Sequence, residues 1–164
     1  MILIKLDYLG RHPQSIELIA QWHQDEWQYI SPHLSTQKRI DIYRSYRNSP
    51  STPHCMLALV DNCTAGSASV VASDLDSHRH LGPWLASVFV HPKYRQQGIA
   101  SQLIERCIEN ARTSGATKLY LFTPDQLTFY AKRGWQLIES SICHGESIDI
   151  MCFDLKPEIE PLKL

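Results

Sequence analysis

The sequence lacks the features that mark disulfide-stapled, zinc-bound or membrane-spanning proteins. Its 164 residues contain five cysteines, an odd number, and no C-x-x-C pair. This pattern argues against a disulfide framework or a zinc site, and it predicts reduced, mostly buried thiols. No apolar run reaches the roughly 18 residues that a transmembrane helix needs, and the first residues lack a signal-peptide layout. We therefore expect a soluble, cytoplasmic protein.

The sequence also lacks an excess of charge and the common loops that bind phosphate. Sixteen Lys and Arg residues balance 17 Asp and Glu residues, so nothing in bulk favours binding to nucleic acid or an anionic membrane. Neither G-x-x-x-x-G-K-[ST] nor G-x-G-x-x-G occurs. No Ser-His-Asp or Cys-His spacing is recognisable, so a covalent acyl-enzyme is not predicted. A length of 164 residues is close to one ordinary domain, and an apolar fraction of 43% is enough for a sizeable core. We therefore predict one domain over residues 1–164, with 156–164 as a tail.

Apolar periodicity predicts an α+β fold in the order β-α-α-β-β-β-α-β-α-β-β. Predicted strands cover 2–8, 54–61, 65–72, 84–90, 117–122, 135–141 and 147–155; predicted helices cover 13–30, 35–49, 98–114 and 124–133. The apolar strand 84–90 is expected in the centre of the sheet, and it forms one parallel unit with strand 117–122.

Several local features of this pattern carry predictions of their own. Ser35 is the expected N-cap of its helix, and Asp61–Asn62 is expected in a hairpin with a loose loop. Arg39, Arg44 and Arg47 share a helix face that we expect to be solvated.

The stretch 95-RQQGIA-100 leads from the central strand into a long helix. The first N–H groups of a helix have no intrahelical partner, and the helix dipole is positive there. Gly98 removes a Cβ from the approach of a ligand, Ala100 is nearly as small, and Arg95 can neutralise a negative charge. These residues fit a diphosphate cradle, while a solvated turn with a glycine for flexibility is the other interpretation.

Two motifs together resemble the GCN5-related N-acetyltransferase (GNAT) superfamily. Arg95, Gly98 and Ala100 match its acetyl-CoA signature of Arg or Gln, two residues, Gly, one residue, and Gly or Ala. The segment 127-LTFYAKRGW-135 is similar to the family's F-Y-x-x-x-G-[FW] element. The resemblance covers nearly all of the chain, because the predicted order of strands and helices fits as well.

The resemblance implies the acyl-CoA N-acyltransferase fold and acetyl-CoA as cosubstrate, with no metal. That fold has a central, mostly antiparallel sheet of about seven strands with one splayed parallel pair, flanked by about four helices. The pantetheine arm would bind the strand backbone, and a β-bulge in strand 84–90 would aim an N–H at the thioester carbonyl. The implied cofactor-binding residues are Val88, Phe89, Val90, Arg95, Gln96, Gln97, Gly98, Ile99, Ala100, Ser101 and, in place of the family's Asn, Thr123.

Tyr130 matches the family's tyrosine and is implied to protonate the leaving thiolate, since a phenol with a pKa of about 10 is protonated at neutral pH. Packing in a core helix is its alternative role. Strand 84–90 has no carboxylate where many relatives carry a glutamate. A base must come from elsewhere or act through a water chain, or the amine arrives neutral. Asp25, Glu26 and His91 are the candidate bases, with solvated surface positions as their alternative.

The predicted activity is acetyl transfer by direct attack of a primary amine on acetyl-CoA. The acceptor is a small molecule or a peptide, and the resemblance places it by the first two helices, near Asp25 and Glu26. The aromatic residues Trp27 and Trp84 are expected either to line the acceptor pocket or to fill the core. A non-catalytic module of the same fold, which senses acyl-CoA or serves as a partner subunit, is the alternative, because the strand carboxylate is missing. We expect no nucleic-acid or membrane partner, and a homodimer is one expected assembly.

Overall fold

The computed structural model describes residues 2–156, and its elements follow the predicted order. The helices are α1 (Ile16–Trp27), α2 (Thr36–Arg44), α3 (Ile99–Thr113) and α4 (Leu127–Ala131). The strands are β1 (Ile4–Tyr8), β2 (His54–Val60), β3 (Cys63–Val71), β4 (Trp84–Val90), β5 (Lys118–Thr123), β6 (Gln136–Cys143) and β7 (Glu146–Asp154). The predicted tail lies outside the described residues except for Lys156, and the single domain over 1–164 stays a prediction.

The seven strands form one sheet in the order β1-β2-β3-β4-β5-β7-β6. Every neighbouring pair is antiparallel except β4 and β5, which are parallel. The central position of β4 and the mixed, mostly antiparallel sheet are thus confirmed, as is the α+β class.

Helices cover both faces of the sheet, and β2 is buried along its whole length for this reason. Met56 and Ala58 pack in the core cluster that includes α3, whereas Cys55 and Leu57 pack with α1 and α2. Side chains alternate between the faces of a strand, so one apolar run serves two cores.

Helix α3 follows the 3.6-residue period of its sequence. Its buried side chains recur three or four positions apart and form one stripe against the sheet: Ile99, Leu103, Ile104, Cys107, Ile108 and Ala111. The packing of this stripe fixes the direction of the helix, and it therefore holds the N-terminus of α3 beside the end of β4.

Two turns show how local chemistry ends the elements. Ser35 caps α2, since its side chain accepts a hydrogen bond of 3.1 Å from the Lys38 N–H. The predicted loose hairpin loop is wrong: Val60 pairs with Cys63, which leaves only Asp61 and Asn62 in the turn. Both turn residues have positive φ, 50° and 67°, a conformation that Asp and Asn tolerate and that a two-residue hairpin needs.

The cysteines are free but less buried than predicted. Cys55 and Cys107 are buried, Cys143 and Cys152 are half-buried, and Cys63 is exposed. Cys63 lies at the hairpin end of β3, where the strand extends past the helices that cover its centre. Within residues 2–156, no helix is both long and apolar enough to cross a membrane.

Candidate active site

Strands β4 and β5 separate towards their carboxyl ends. Within the described residues their register holds one pair, Trp84 with Tyr120, and the Tyr120 N–H donates to the Pro83 carbonyl at 3.0 Å. Strand β5 stays paired with β7 as far as Thr123, and β4 stays paired with β3 as far as Val90. The facing edges of β4 and β5 therefore present backbone N–H and C=O groups to an extended ligand.

A β-bulge interrupts β4 beside this gap. Ser87 and Val88 lie opposite the single residue Ala68 of β3, so the expected bulge is present. Ser87 has a φ of 55°, which is uncommon for a residue other than glycine. A bulge redirects the backbone of its strand, and both Ser87 and Val88 line the cavity that opens here.

A buried chain of hydrogen bonds holds the bulge, and its proton positions follow from its last member. The Ser67 hydroxyl donates to the Ser87 carbonyl at 3.1 Å, so it has no second proton to give. It must accept from Nε2 of His23 at 2.8 Å, which leaves Nδ1 to accept from the Tyr43 hydroxyl at 2.7 Å. Burial, together with the smaller effect of the nearby positive charge of Arg39, lowers the pKa of His23 to about 3, in keeping with a neutral ring.

The turn between β4 and α3 leaves room for a ligand to bind the backbone N–H groups at the N-terminus of α3. Gly98 is the N-cap of α3 with a φ of 75°, and no side chain caps the helix there. A Cβ on Gly98 would meet no atom within 4 Å, so the conformation demands glycine while the adjacent space stays open. Gln96 also has a positive φ, 64°. Arg95 is exposed; its Nε donates to the Val90 carbonyl at 2.8 Å.

A second cation, which the sequence analysis missed, lies beside the first turn of α3. Nε of Arg133 donates to the Ser101 hydroxyl at 3.2 Å, and its guanidinium lies 3.5 Å from the centre of the Phe129 ring. Arg133 stands inside the F-Y-x-x-x-G-[FW] element at one of its unspecified positions, so the motif gave no signal for it. Ala100 is half-buried, Ile99 is buried in the core, and the Gln97 side-chain oxygen is buried without a hydrogen-bond partner among the described residues.

Tyr130 lies on α4 at the edge of the same cavity. Its ring is 8% exposed and packs edge-on against Phe129 and Trp135, with ring centres 5.1 Å and 5.9 Å away. Burial raises the pKa of Tyr130 above its usual value, and the positive charge of Arg133 opposes the increase. The phenol is therefore protonated at neutral pH and has a proton to donate.

Thr123 lies at the end of β5 and lines the cavity as well. Its hydroxyl oxygen accepts hydrogen bonds from the N–H groups of Gln126 at 2.9 Å and Asp125 at 3.4 Å. These bonds hold the turn into α4, while the hydroxyl proton remains free for another acceptor. Thr123 thus supports the helix that carries Tyr130.

The residues predicted on the acceptor side divide into two groups. Glu26 and Trp27, at the end of α1, line the cavity. Asp25 and Trp84 do not: Asp25 is exposed and accepts a hydrogen bond of 2.7 Å from Gln21 one turn earlier. Trp84 is fully buried, and its indole N–H donates to the Leu81 carbonyl at 2.8 Å, so it fills the core.

His91, the remaining candidate base, also lies off the cavity wall. Its Nδ1 accepts a hydrogen bond of 3.2 Å from the Lys93 N–H, which caps the short turn after β4. Its ring packs against Trp22 at 4.9 Å between centres. The structure therefore gives His91 a local role in the turn.

The cavity has a volume of about 1060 Å³ and carries two charged side chains that the sequence analysis misjudged or missed. The prediction that Arg39 is solvated is wrong: Arg39 is 4% exposed, because it lies on the same helix stripe as Tyr43 and packs inward. Arg44 and Arg47 are exposed as predicted. Asp74 is exposed and opens onto the cavity; partial desolvation by the cavity walls raises the pKa of its carboxyl, and the positive charge of Arg39 opposes the increase.

Among residues 2–156, no group of three or more His, Cys, Asp and Glu side chains is placed to hold a metal ion. His78, which the sequence places near His80, forms hydrogen bonds of 2.7 Å with Glu139 and with Ser77.

Fold and cavity define an open-sheet α+β domain with a ligand-sized cleft between two parted parallel strands. The sequence profile described as the acetyltransferase (GNAT) family matches residues 16–135, and this chain belongs to that family. N-alpha-acetyltransferase 80 of Mus musculus is 34% identical over 131 residues, which make up 77% of this chain and 40% of the mouse protein. The chain thus spans about two fifths of that relative's length.

Solved structures show the same fold. A putative acetyltransferase from Salmonella typhimurium, solved with its cofactor acetyl-CoA, has a TM-score of 0.70 and 15% identity, and the match covers 100% of this chain and 99% of that one. An aminoglycoside 6'-N-acetyltransferase in complex with coenzyme A has a TM-score of 0.72 and 11% identity over 96% of this chain and 99% of its own. The predicted superfamily and acyl-CoA N-acyltransferase fold are confirmed.

Proposed function

We propose that this chain is an N-acetyltransferase that transfers the acetyl group of acetyl-CoA to a primary amine of a small molecule or peptide. The observation that carries this proposal is the junction where the parted edges of β4 and β5 meet the uncapped N-terminus of α3. One extended ligand with a negatively charged end would satisfy both parts of the junction.

In this proposal the diphosphate of CoA binds the backbone N–H groups of residues 96–101 at the start of α3. Arg95 and Arg133 lie beside that turn and would neutralise its charge. The pantetheine arm binds the strand backbone around Val88, Phe89 and Val90 along the gap. Acetyl-CoA supplies the activated acetyl group, and the chain's own residues hold and orient it.

The proposed chemistry is direct attack of a neutral amine on the thioester carbonyl. The C–N bond forms first and gives a tetrahedral intermediate, whose collapse breaks the C–S bond. Tyr130 donates its proton to the leaving thiolate and regains one from water, while the nitrogen releases a proton. A backbone N–H at the bulge would stabilise the oxyanion of the tetrahedral intermediate. The hydrogen-bond chain through His23 holds the bulge in place during this step.

The cytoplasmic location and the homodimer remain predictions from the sequence. So does the exclusion of nucleic acid and membranes as partners.

Calorimetry of the purified protein with CoA, followed by a thiol-release assay with acetyl-CoA and a panel of primary amines, tests the proposal. We expect saturable CoA binding and amine-dependent release of thiol. Absence of CoA binding would overturn the proposal. Binding without turnover on any amine would indicate the non-catalytic module, the reading that the missing carboxylate in β4 favours.

A further inference from the structure

Arg39 places a positive charge beside the cavity, and it belongs to none of the ion pairs formed among residues 2–156. The side chain is 4% exposed; its Nε donates to the Gln24 side chain at 3.1 Å, and the guanidinium also lies within hydrogen-bonding reach of the Tyr43 hydroxyl. Its Nη2 atom is buried and has no hydrogen-bond partner among residues 2–156. A buried guanidinium without a counter-ion is unfavourable, and a planar carboxylate that approaches Arg39 from the cavity would match its geometry.

Other cations on the cavity wall are already engaged. Arg79 pairs with Asp76 at 3.0 Å, and Arg95 donates to a backbone carbonyl at the start of the α3 turn. Both side chains are exposed to solvent, so a ligand gains less from them than from a buried charge. Arg39 is therefore the cation best placed to recognise a ligand anion.

The carboxylate of Asp74 faces the same cavity but forms no ion pair with Arg39. Asp74 is exposed like those two arginines, but it lines the cavity and forms none of the ion pairs found among the described residues. It is near enough for Arg39 to favour its ionised form, yet the two groups form no direct ion pair. A cavity with separated opposite charges is complementary to a ligand that carries both.

We propose that the acceptor is an amine that also carries a carboxylate, with the carboxylate bound by Arg39 and the ammonium bound by Asp74. This inference rests on the proposed function. Asp74 takes a proton from the ammonium, which yields the neutral amine that attacks the thioester. The carboxylate does not react; it positions the amine. Both a free amino acid and the N-terminus of an acidic peptide contain this chemistry.

The test is a comparison of acceptors that differ only in the carboxylate. Straight-chain amino acids from glycine to 6-aminohexanoate are each assayed beside their amides, and dipeptide amides that begin with Asp or Glu are assayed beside those that begin with Asn or Gln. We expect kcat/KM to be at least about tenfold higher for one carboxylate series, as charged hydrogen bonds of this kind provide. The better series identifies the source, an amino acid or a peptide.

Two variants assign that preference to Arg39. Arg39→Gln should reduce the carboxylate-to-amide ratio of kcat/KM to about one, and a ratio that stays at the wild-type value would overturn the inference. Arg44→Gln is the matched control, since Arg44 lies on the same helix but is exposed and off the cavity wall. If Arg39→Gln does not fold, Arg39→Lys keeps the charge without the planar fork, and an intermediate ratio is expected.

The outcomes separate this inference from the proposed function. Equal kcat/KM for acids and amides in the wild-type protein overturns the inference and leaves the acetyltransferase proposal standing. If CoA binds but no amine is acetylated, saturation-transfer NMR on the CoA-loaded protein decides with the same compounds: selective binding of the carboxylate members supports the inference, and no selectivity overturns it. A protein that does not bind CoA fails the proposed function itself.

Discussion

The proposed catalytic group of Tyr130 is its hydroxyl, which can be removed with little change in the shape of the side chain. Tyr130→Phe deletes the hydroxyl and keeps the ring that packs against Phe129 and Trp135. If the phenol protonates the leaving thiolate, kcat should fall by roughly 10²- to 10⁴-fold, the usual contribution of a general acid. Stopped assays of thiol release measure kcat, and calorimetry checks that CoA affinity changes little.

Tyr120→Phe is the control for that variant. Tyr120 lies on β5, is half-buried and packs against Trp84 away from the cavity wall. An equal loss of kcat in both variants, or none in Tyr130→Phe, would contradict the acid role and favour packing as the purpose of Tyr130.

His23 makes the stability of the fold depend on pH. Its pKa is about 3 in the folded protein and 6.5 for an ordinary histidine, because burial disfavours the charged ring. Below pH 6.5 the unfolded chain takes up a proton that the folded chain refuses, so acidification favours unfolding until about pH 3. Between pH 7 and pH 5 this single group should reduce the free energy of unfolding by about 2 kcal/mol.

Urea unfolding at pH 7 and pH 5 measures the effect of His23. His23→Gln should be less stable than the wild type at pH 7, because it breaks the chain to Tyr43 and Ser67, but it should lose about 2 kcal/mol less on acidification. His80→Gln, at an exposed histidine, should keep the wild-type pH dependence. The same pH dependence in His23→Gln and wild type would show that another group is responsible.

Sequence patterns located the residues of the motifs but misjudged isolated charges. The position of Tyr130 at the cavity could be predicted, because Tyr130 belongs to a contiguous motif whose spacing fixes its place on a helix. Arg39 was assigned to solvent by its charge, although it precedes Tyr43 by four residues and so shares the buried stripe of α2. Position on the helix, rather than residue type, carried the signal.

At the scale of elements, a substitution at the N-terminus of α3 allows the effect of backbone strain on stability to be measured separately from the effect on CoA affinity. Gly98→Ala places a Cβ at φ 75°, which strains the backbone, in space that the proposed diphosphate would occupy. We expect a loss of about 1 kcal/mol in stability together with at least about a tenfold loss of CoA affinity. Urea unfolding and calorimetry measure the two effects.

Gly115→Ala is the matched control at the other end of the same helix. Gly115 has a φ of 87° and, like Gly98, no atom within 4 Å of an added Cβ. Its strain should equal that of Gly98→Ala, while CoA affinity stays at the wild-type value. A similar loss of affinity in both variants would mean that general destabilisation, and not a blocked anion site, explains the result.

The order and type of the elements could be predicted because each is encoded in neighbouring residues. Period-2 and period-3.6 patterns located every strand and α-helix of the described chain within a few residues. The tightness of the hairpin at Asp61–Asn62 was missed, although the positive-φ tolerance of both residues was a local signal for it. The chain from Tyr43 to Ser87 could not be predicted, since it joins four elements that meet only after folding.

At the scale of the whole molecule, a ligand that bridges β4, β5 and α3 should stabilise the fold. Binding to the folded state alone at 100 times Kd contributes about 2.7 kcal/mol. For a chain of this size that corresponds to a rise in Tm of roughly 5–10 °C. Thermal unfolding with and without CoA measures the shift. Adenosine, which lacks the diphosphate and the pantetheine arm, is the control, and an unchanged Tm at saturating CoA would contradict the proposed binding mode.

The parting of β4 and β5 gives this sheet two edges in its interior, in addition to the outer edges at β1 and β6. Exposed strand edges are templates on which a foreign strand can grow, and most folds cover theirs with a helix, a loop or a charge. If CoA fills the gap as proposed, the cover in this protein is a diffusible metabolite. Depletion of the coenzyme would then expose strand edges on which aggregation can start. The cellular supply of acetyl-CoA would thus protect from aggregation the same protein that consumes it.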